Sequence, residues 1–258
     1  FPQCALIILF AMKSIDLSSP KVLRTCLRLA VPAMVAQLIN VLYSIVDRIF
    51  VGNMQAVGDL ALAGVGVCAP VTTLITSFAS LVGLGGAPVF AMCMGEGRND
   101  NARKILSNAL IMLLVISALL TALILPLLKP LLMTFGASEN TYPYAEEYML
   151  VYASGCVFAV LSAGLNQYIT AQGYSGIAMA TVCIGAVANI ALGPLFIFTF
   201  DMGVTGAAAA TVLSQGLSTL FVVIFLLLPK TKVRLSLRSC SAKTMLHIVK
   251  MGLSPFFI

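Results

Sequence analysis

Charged residues make up only 9% of this 258-residue chain, tryptophan is absent, and histidine occurs once, at His247. A soluble globular domain carries about 25% charged residues, so an ordinary water-facing surface is excluded. The seven cysteines, at Cys4, Cys26, Cys68, Cys93, Cys156, Cys183 and Cys240, stand singly with no CxxC pair. With one histidine and no clustered thiols, no metal or redox site is readable, and the cysteines read as small apolar fillers. The motifs HExxH, GxSxG and DDxxD are all missing, which argues against an intramembrane enzyme. GLGGAP at 83–88 lacks the spacing and the preceding strand of a dinucleotide fingerprint.

What is present is apolar: 60% of the residues are hydrophobic, and the mean hydropathy is +1.04. Such a chain has lipid as its main solvent. The apolar runs fall at 29–51, 60–90, 105–128, 145–170, 175–199 and 204–228. Each covers about 30 Å of hydrocarbon at about 1.5 Å rise per residue. The expected fold class is all-α, a polytopic membrane protein built as a six-transmembrane-helix bundle. The second run is longer than a span needs, and Pro70, Gly83, Gly85, Gly86 and Pro88 offer places to bend. Small residues at 83–87 and in GVTGAAAAT at 203–211 permit close helix approach.

The net charge of +6 comes from bases flanking apolar runs, a topology signal rather than a nucleic-acid surface. Four lie before the first run, three between the second and third, and five in 229–243, followed by Lys250. The connections on the other side hold only Lys129. This bias puts the N-terminus in the cytoplasm; the expected location is a plasma membrane, a bacterial inner membrane. The loop with Glu139, Glu146 and Glu147 then faces outside.

The expected organisation is an N-terminal cytoplasmic segment at 1–28, a six-helix lobe at 29–228, a basic connector at 229–250, and the start of a seventh helix at 251–258. The chain opens on Phe1, and the apolar run at 4–12 is too short to span, so Met12 is the expected natural start, with 1–11 an upstream remnant that is not native. The connector mixes bases with Val, Leu and Met, as an amphipathic helix on the inner membrane surface or a solvated loop would. MGEGRNDNARK at 94–104 reads as a tight turn with Asn101 or a neighbour capping the next helix. RLAVP at 28–32 and KMGLSP at 250–255 form a weak repeat, the pattern of two parallel halves.

Gln37, Asn40, Ser44 and Asp47 step by three, four and three, so they share one helix face, with Tyr43 at its edge. Such a stripe either glues helices together or lines an aqueous cavity, and a carboxylate among its members favours the cavity. A carboxylate out of water binds and releases a proton near physiological pH, unless a cation such as Arg48 offsets the effect. Asn189 and Thr211 are mid-span polar groups that either bond between helices or supply oxygens to an ion; Asn166 is similar but weaker.

Pro32, VDRIFVG at 46–52, ALAGVG at 61–66, GEGR at 95–98, AQG at 171–173, and ANIALGPLFIF at 188–198 running into MGVTGAAAATVLSQ at 202–215 recur here in register. In these motifs the chain resembles the multidrug and toxic compound extrusion (MATE) family, over about residues 20–258. The resemblance implies one lobe of a twelve-helix transporter whose other, C-terminal lobe lies outside this sequence. It implies antiport of organic cations or drugs across a lipid bilayer in exchange for protons or sodium, with no cofactor beyond that ion, by a monomer when complete. It places the ion-coupling residues on Asp47, Asn189 and Thr211 and the helix-bending proline on Pro32. Gln37, Asn40, Tyr43, Ser44 and Asn166 are candidates for the cavity wall. Many members carry an Asp four residues after the Asn; this chain has Gly193 there, which favours a proton over sodium. The alternative is a lipid-linked oligosaccharide or lipid flippase of the same superfamily, which calls for more intramembrane bases than Arg48 alone.

Overall fold

A computed structural model of the chain describes residues 22–54, 57–229, 231–235 and 241–256; the expected start at Met12 and most of the N-terminal segment lie outside them. Nine α-helices are found among the described residues: α1 Val22–Gly52, α2 Gly58–Gly95, α3 Asn99–Ile124, α4 Leu128–Thr134, α5 Tyr142–Ser154, α6 Cys156–Ala171, α7 Ser175–Pro194, α8 Gly203–Leu227 and α9 Ala242–Phe256. One π-helical turn, Leu195–Thr199, extends α7 beyond Pro194. Five helices are long and apolar enough to cross a membrane, and α5 with α6 makes a sixth crossing if the bent pair counts as one span.

The fourth run is therefore not the continuous helix expected over 145–170. It bends by 56° between α5 and α6, at Gly155. A Cβ there would overlap the Val212 side chain of α8, so glycine lets α8 approach the break. Carbonyls beside the bend find partners across the bundle. Thr121 Oγ1 donates to the Ala153 carbonyl at 3.0 Å and Thr219 Oγ1 to the Phe158 carbonyl at 2.7 Å. A broken helix inside a membrane persists only where its freed backbone groups are satisfied in this way.

The long second run does not break. α2 is one helix of 38 residues with Pro70 and Pro88 inside it, and it forms the spine of the bundle, packing against α3, α5, α6 and α9. Its glycines lie at close approaches to neighbouring helices. A Cβ on Gly83 would stand 3.0 Å from the Gly164 carbonyl of α6, and one on Gly85 would stand 2.6 Å from the Gly252 backbone of α9. One on Gly86 would overlap the Tyr168 hydroxyl. That hydroxyl donates to the Val82 carbonyl at 2.8 Å, and its ring meets Phe90 edge-on at 5.5 Å. α8 packs against α5, α6 and α7, while α1 leans on α7 at the margin.

Two local expectations change. Asn101 lies inside α3, and the residue before that helix, Arg98, makes no side-chain cap; Asp100 in the first turn complements the helix dipole instead. The boundary expected at 250/251 falls inside α9, which starts at Ala242. Its apolar side lies on α2 with Ile248 fully buried, while Lys243, His247 and Lys250 face outward. Leu246, Met251 and Leu253 of this helix are exposed beside the buried Ile248.

Candidate functional site

Four helices wall a half-open polar cavity of about 150 Å³. α1 contributes Tyr43, Ser44, Asp47 and Arg48, and α2 contributes Val65, Cys68, Ala69 and Thr72. α5 supplies Tyr148 and Tyr152, and α8 supplies Thr211 and Gln215. Each polar pair sits at helical i,i+4 or i,i+3 spacing, so one face of each helix builds one wall. Tyr148 and Tyr152 stack at 6.0 Å between ring centroids. Both tyrosines line the cavity together with Asp47, Tyr43, Thr211 and Gln215.

Asp47 is 9% exposed, and its Oδ1 is buried with no hydrogen-bond partner. The ion pairs among the described residues are Arg98–Glu96 and Arg103–Asp100, so the neighbouring Arg48 does not pair directly with Asp47. Behind the cavity wall, Asn189 of α7 donates from Nδ2 to Thr211 Oγ1 at 3.2 Å, and Thr211 donates to the Ala207 carbonyl at 3.0 Å. This leaves Asn189 Oδ1 a buried acceptor without a donor, as is Gln215 Oε1. Buried polar atoms are rarely left unpaired. Three orphaned oxygens on the cavity residues and the Asn189 behind them make a site short of donors, one that can take up a proton or a small cation.

The expected stripe on α1 divides. Ser44, Asp47 and Tyr43 reach the cavity, whereas Gln37 and Asn40 are exposed on the surface of the lobe. Asn166 is also away from the cavity, where its Nδ2 donates to the Ala178 carbonyl at 3.2 Å and ties α6 to α7. Tyr148, Tyr152, Gln215 and Thr72 were not singled out in the sequence. The i,i+4 recurrence of Tyr148 with Tyr152, and of Thr211 with Gln215, is the signal that points to them.

Pro32 lies inside α1 and has no N–H for the carbonyl of Arg28 one turn earlier. Ser175, the first residue of α7, donates from Oγ to that carbonyl at 3.3 Å. Ser175→Ala is expected to orphan it, lowering stability by about 1 kcal/mol and speeding hydrogen exchange in α1 around Pro32. Thermal unfolding and exchange mass spectrometry check both.

The helices and cavity together define a polytopic helical membrane protein with a polar, carboxylate-bearing recess in one lobe. The MatE family model matches residues 32–195, more than half of the chain, and the chain belongs to that family. It is 28% identical over 81% of its length to the probable multidrug resistance protein YpnP of Bacillus subtilis (strain 168), covering 47% of that protein. It is 23% identical over 92% of its length to the multidrug export protein MepA of Staphylococcus saprophyticus, covering 52% of it. An outward-facing multidrug resistance MATE family transporter of the MOP superfamily superposes with a TM-score of 0.83 at 30% identity, over 90% of this chain and 52% of that one. The chain spans about half the length of the curated relatives it matches.

Proposed function

We propose that this chain is the N-terminal lobe of a secondary active multidrug exporter, an antiporter that moves organic cations outward across a bacterial inner membrane in exchange for protons. The observation that carries the reading is Asp47, a carboxylate buried at the wall of a polar recess with an unpartnered oxygen. The recess of about 150 Å³ is smaller than the roughly 300–1,000 Å³ of drug-sized sites. It therefore suits the coupling ion, and the drug is held where this lobe faces the second one. Among the lining residues Arg48 is the only base, which suits cationic substrates and does not favour a pyrophosphate-binding flippase.

In this mechanism Asp47 takes a proton from outside, α1 rearranges about Pro32, and affinity for the cation falls so that it leaves outward. α1 is suited to move, because it sits at the margin with only 6% of its most apolar window buried. Coupling needs proton and drug to favour different states of the lobe. Gly193 supports a single-carboxylate site: it is buried against the Phe50 ring, 3.3 Å from where a Cβ would stand. Sodium is the second reading, favoured by the free oxygens of Asn189 and Gln215.

The test is efflux of a fluorescent organic cation from proteoliposomes holding the full-length protein, under imposed proton or sodium gradients. Proton-driven efflux is the expected result. Sodium-driven efflux would move the coupling to the second reading, and efflux under neither would overturn the exporter.

A further inference from the structure

Beyond α8 the described residues 231–235 stay against the lobe. The Thr231 amide and hydroxyl both turn back to the Leu228 carbonyl, and residues 231–235 then run back along the end of α8, where the Leu235 amide donates to the Leu226 carbonyl at 3.1 Å. Burial alternates with the period of an extended strand: Thr231 and Val233 are buried, Lys232 and Arg234 are exposed. Val233 and Leu235 join the apolar core of the bundle.

Two buried side chains grip this segment and the residue that leads into α9. Gln172, in the turn between α6 and α7 and fully buried, accepts the Val233 amide on Oε1 at 3.3 Å. Asn108 of α3, also fully buried, accepts the Ser241 amide on Oδ1 at 2.8 Å, and its Nδ2 donates to the Lys104 carbonyl at 2.7 Å. Ser241 immediately precedes α9, which lies backbone to backbone on α2 at Gly85 and Gly252. A flexible basic linker has no use for two buried amides that bond its main chain.

We propose that residues 231–235 are a strap latched to this lobe by Gln172, with Asn108 latching the start of α9, and that the two latches make α9 an arm carrying this lobe's movement into the second lobe. Gln172 and Asn108 are then positioning residues for transport, remote from the ion site. The proposal rests on the two-lobe exporter reading, because movement is transmitted only if a second lobe receives it. With the latches closed, slack between the lobes is removed. With them open, the ion still binds at Asp47, but the rearrangement is lost in the connector.

The experiment uses the full-length protein and two variants that open the same latch from opposite sides. Gln172→Leu removes the acceptor, and Val233→Pro removes the donor by a change outside the six spans, so it still tests the latch if Gln172→Leu fails to fold. Hydrogen exchange of the peptide spanning 231–235 is expected to quicken about tenfold, the effect of one lost hydrogen bond on a local opening equilibrium. Equilibrium binding of the fluorescent cation should persist while gradient-driven efflux falls about fivefold or more, the low end of a coupling effect. Unchanged exchange in both variants would overturn the latch, and faster exchange with undiminished efflux would overturn its role in transmission. If the unaltered protein shows no driven efflux, the exporter reading falls and transmission with it, whereas the exchange comparison still decides whether the strap is latched.

Discussion

Asp47→Asn is expected to remove gradient-driven efflux while leaving the fold intact. Asparagine keeps the size and one acceptor oxygen of the side chain but can neither carry a proton nor present a charge to a cation. In the structure Asp47 has no ion pair to lose and one buried oxygen with no partner, so the neutral amide relieves a desolvation cost and stability should hold or rise slightly. A ligand shifts an equilibrium only through its differential affinity for the two states. Without that difference, driven efflux is expected to drop about 5- to 150-fold, the range of a coupling free energy of about 1–3 kcal/mol. Efflux from proteoliposomes with thermal unfolding as a control measures both, and undiminished driven efflux with the variant folded would remove Asp47 from the mechanism.

Thr211→Val should be the next most damaging change at the site. The substitution preserves shape, but it deletes the acceptor of Asn189 Nδ2 and the donor to the Ala207 carbonyl. Asn189 is 1% exposed, so its amide donor would be stranded away from water, at a cost of about 1–3 kcal/mol. The amide then turns to find another partner and its oxygen leaves the coupling site. Thr211→Ser keeps the hydroxyl and is expected to retain most efflux and stability, whereas Thr211→Val loses both. If valine and serine behaved alike, the bond to Asn189 would be irrelevant to transport.

The six crossings were legible because lipid imposes a length and an apolar composition on every span, and the runs at 60–90 and 204–228 could hardly be anything else. Asp47 was legible for the complementary reason: an ionisable residue inside such a run stands out. The bend at Gly155 was not. Glycine within an apolar run can mark close packing or a break, and here it is both: Val212 approaches it and the helix bends by 56°. Asn101 looked like a cap because of its residue type, yet the chain turns at Gly97, with φ +73, and the helix starts at Asn99 with Arg98 in the cap position.

Sequence alone thus settled the solvent of this protein, its all-helical class and its family, since hydropathy, charge bias and motif register are local properties written residue by residue. Which polar residues share a cavity was decided by packing. Gln37 and Asn40 follow the same periodicity as Ser44 and Asp47, but only the latter pair lies where α1 meets α2, α5 and α8. The grip of Gln172 on Val233 joins residues 61 positions apart, and no helical or strand period predicts a bond of that reach. Such contacts exist only because burial in the bundle leaves each of these groups no water to bond with instead.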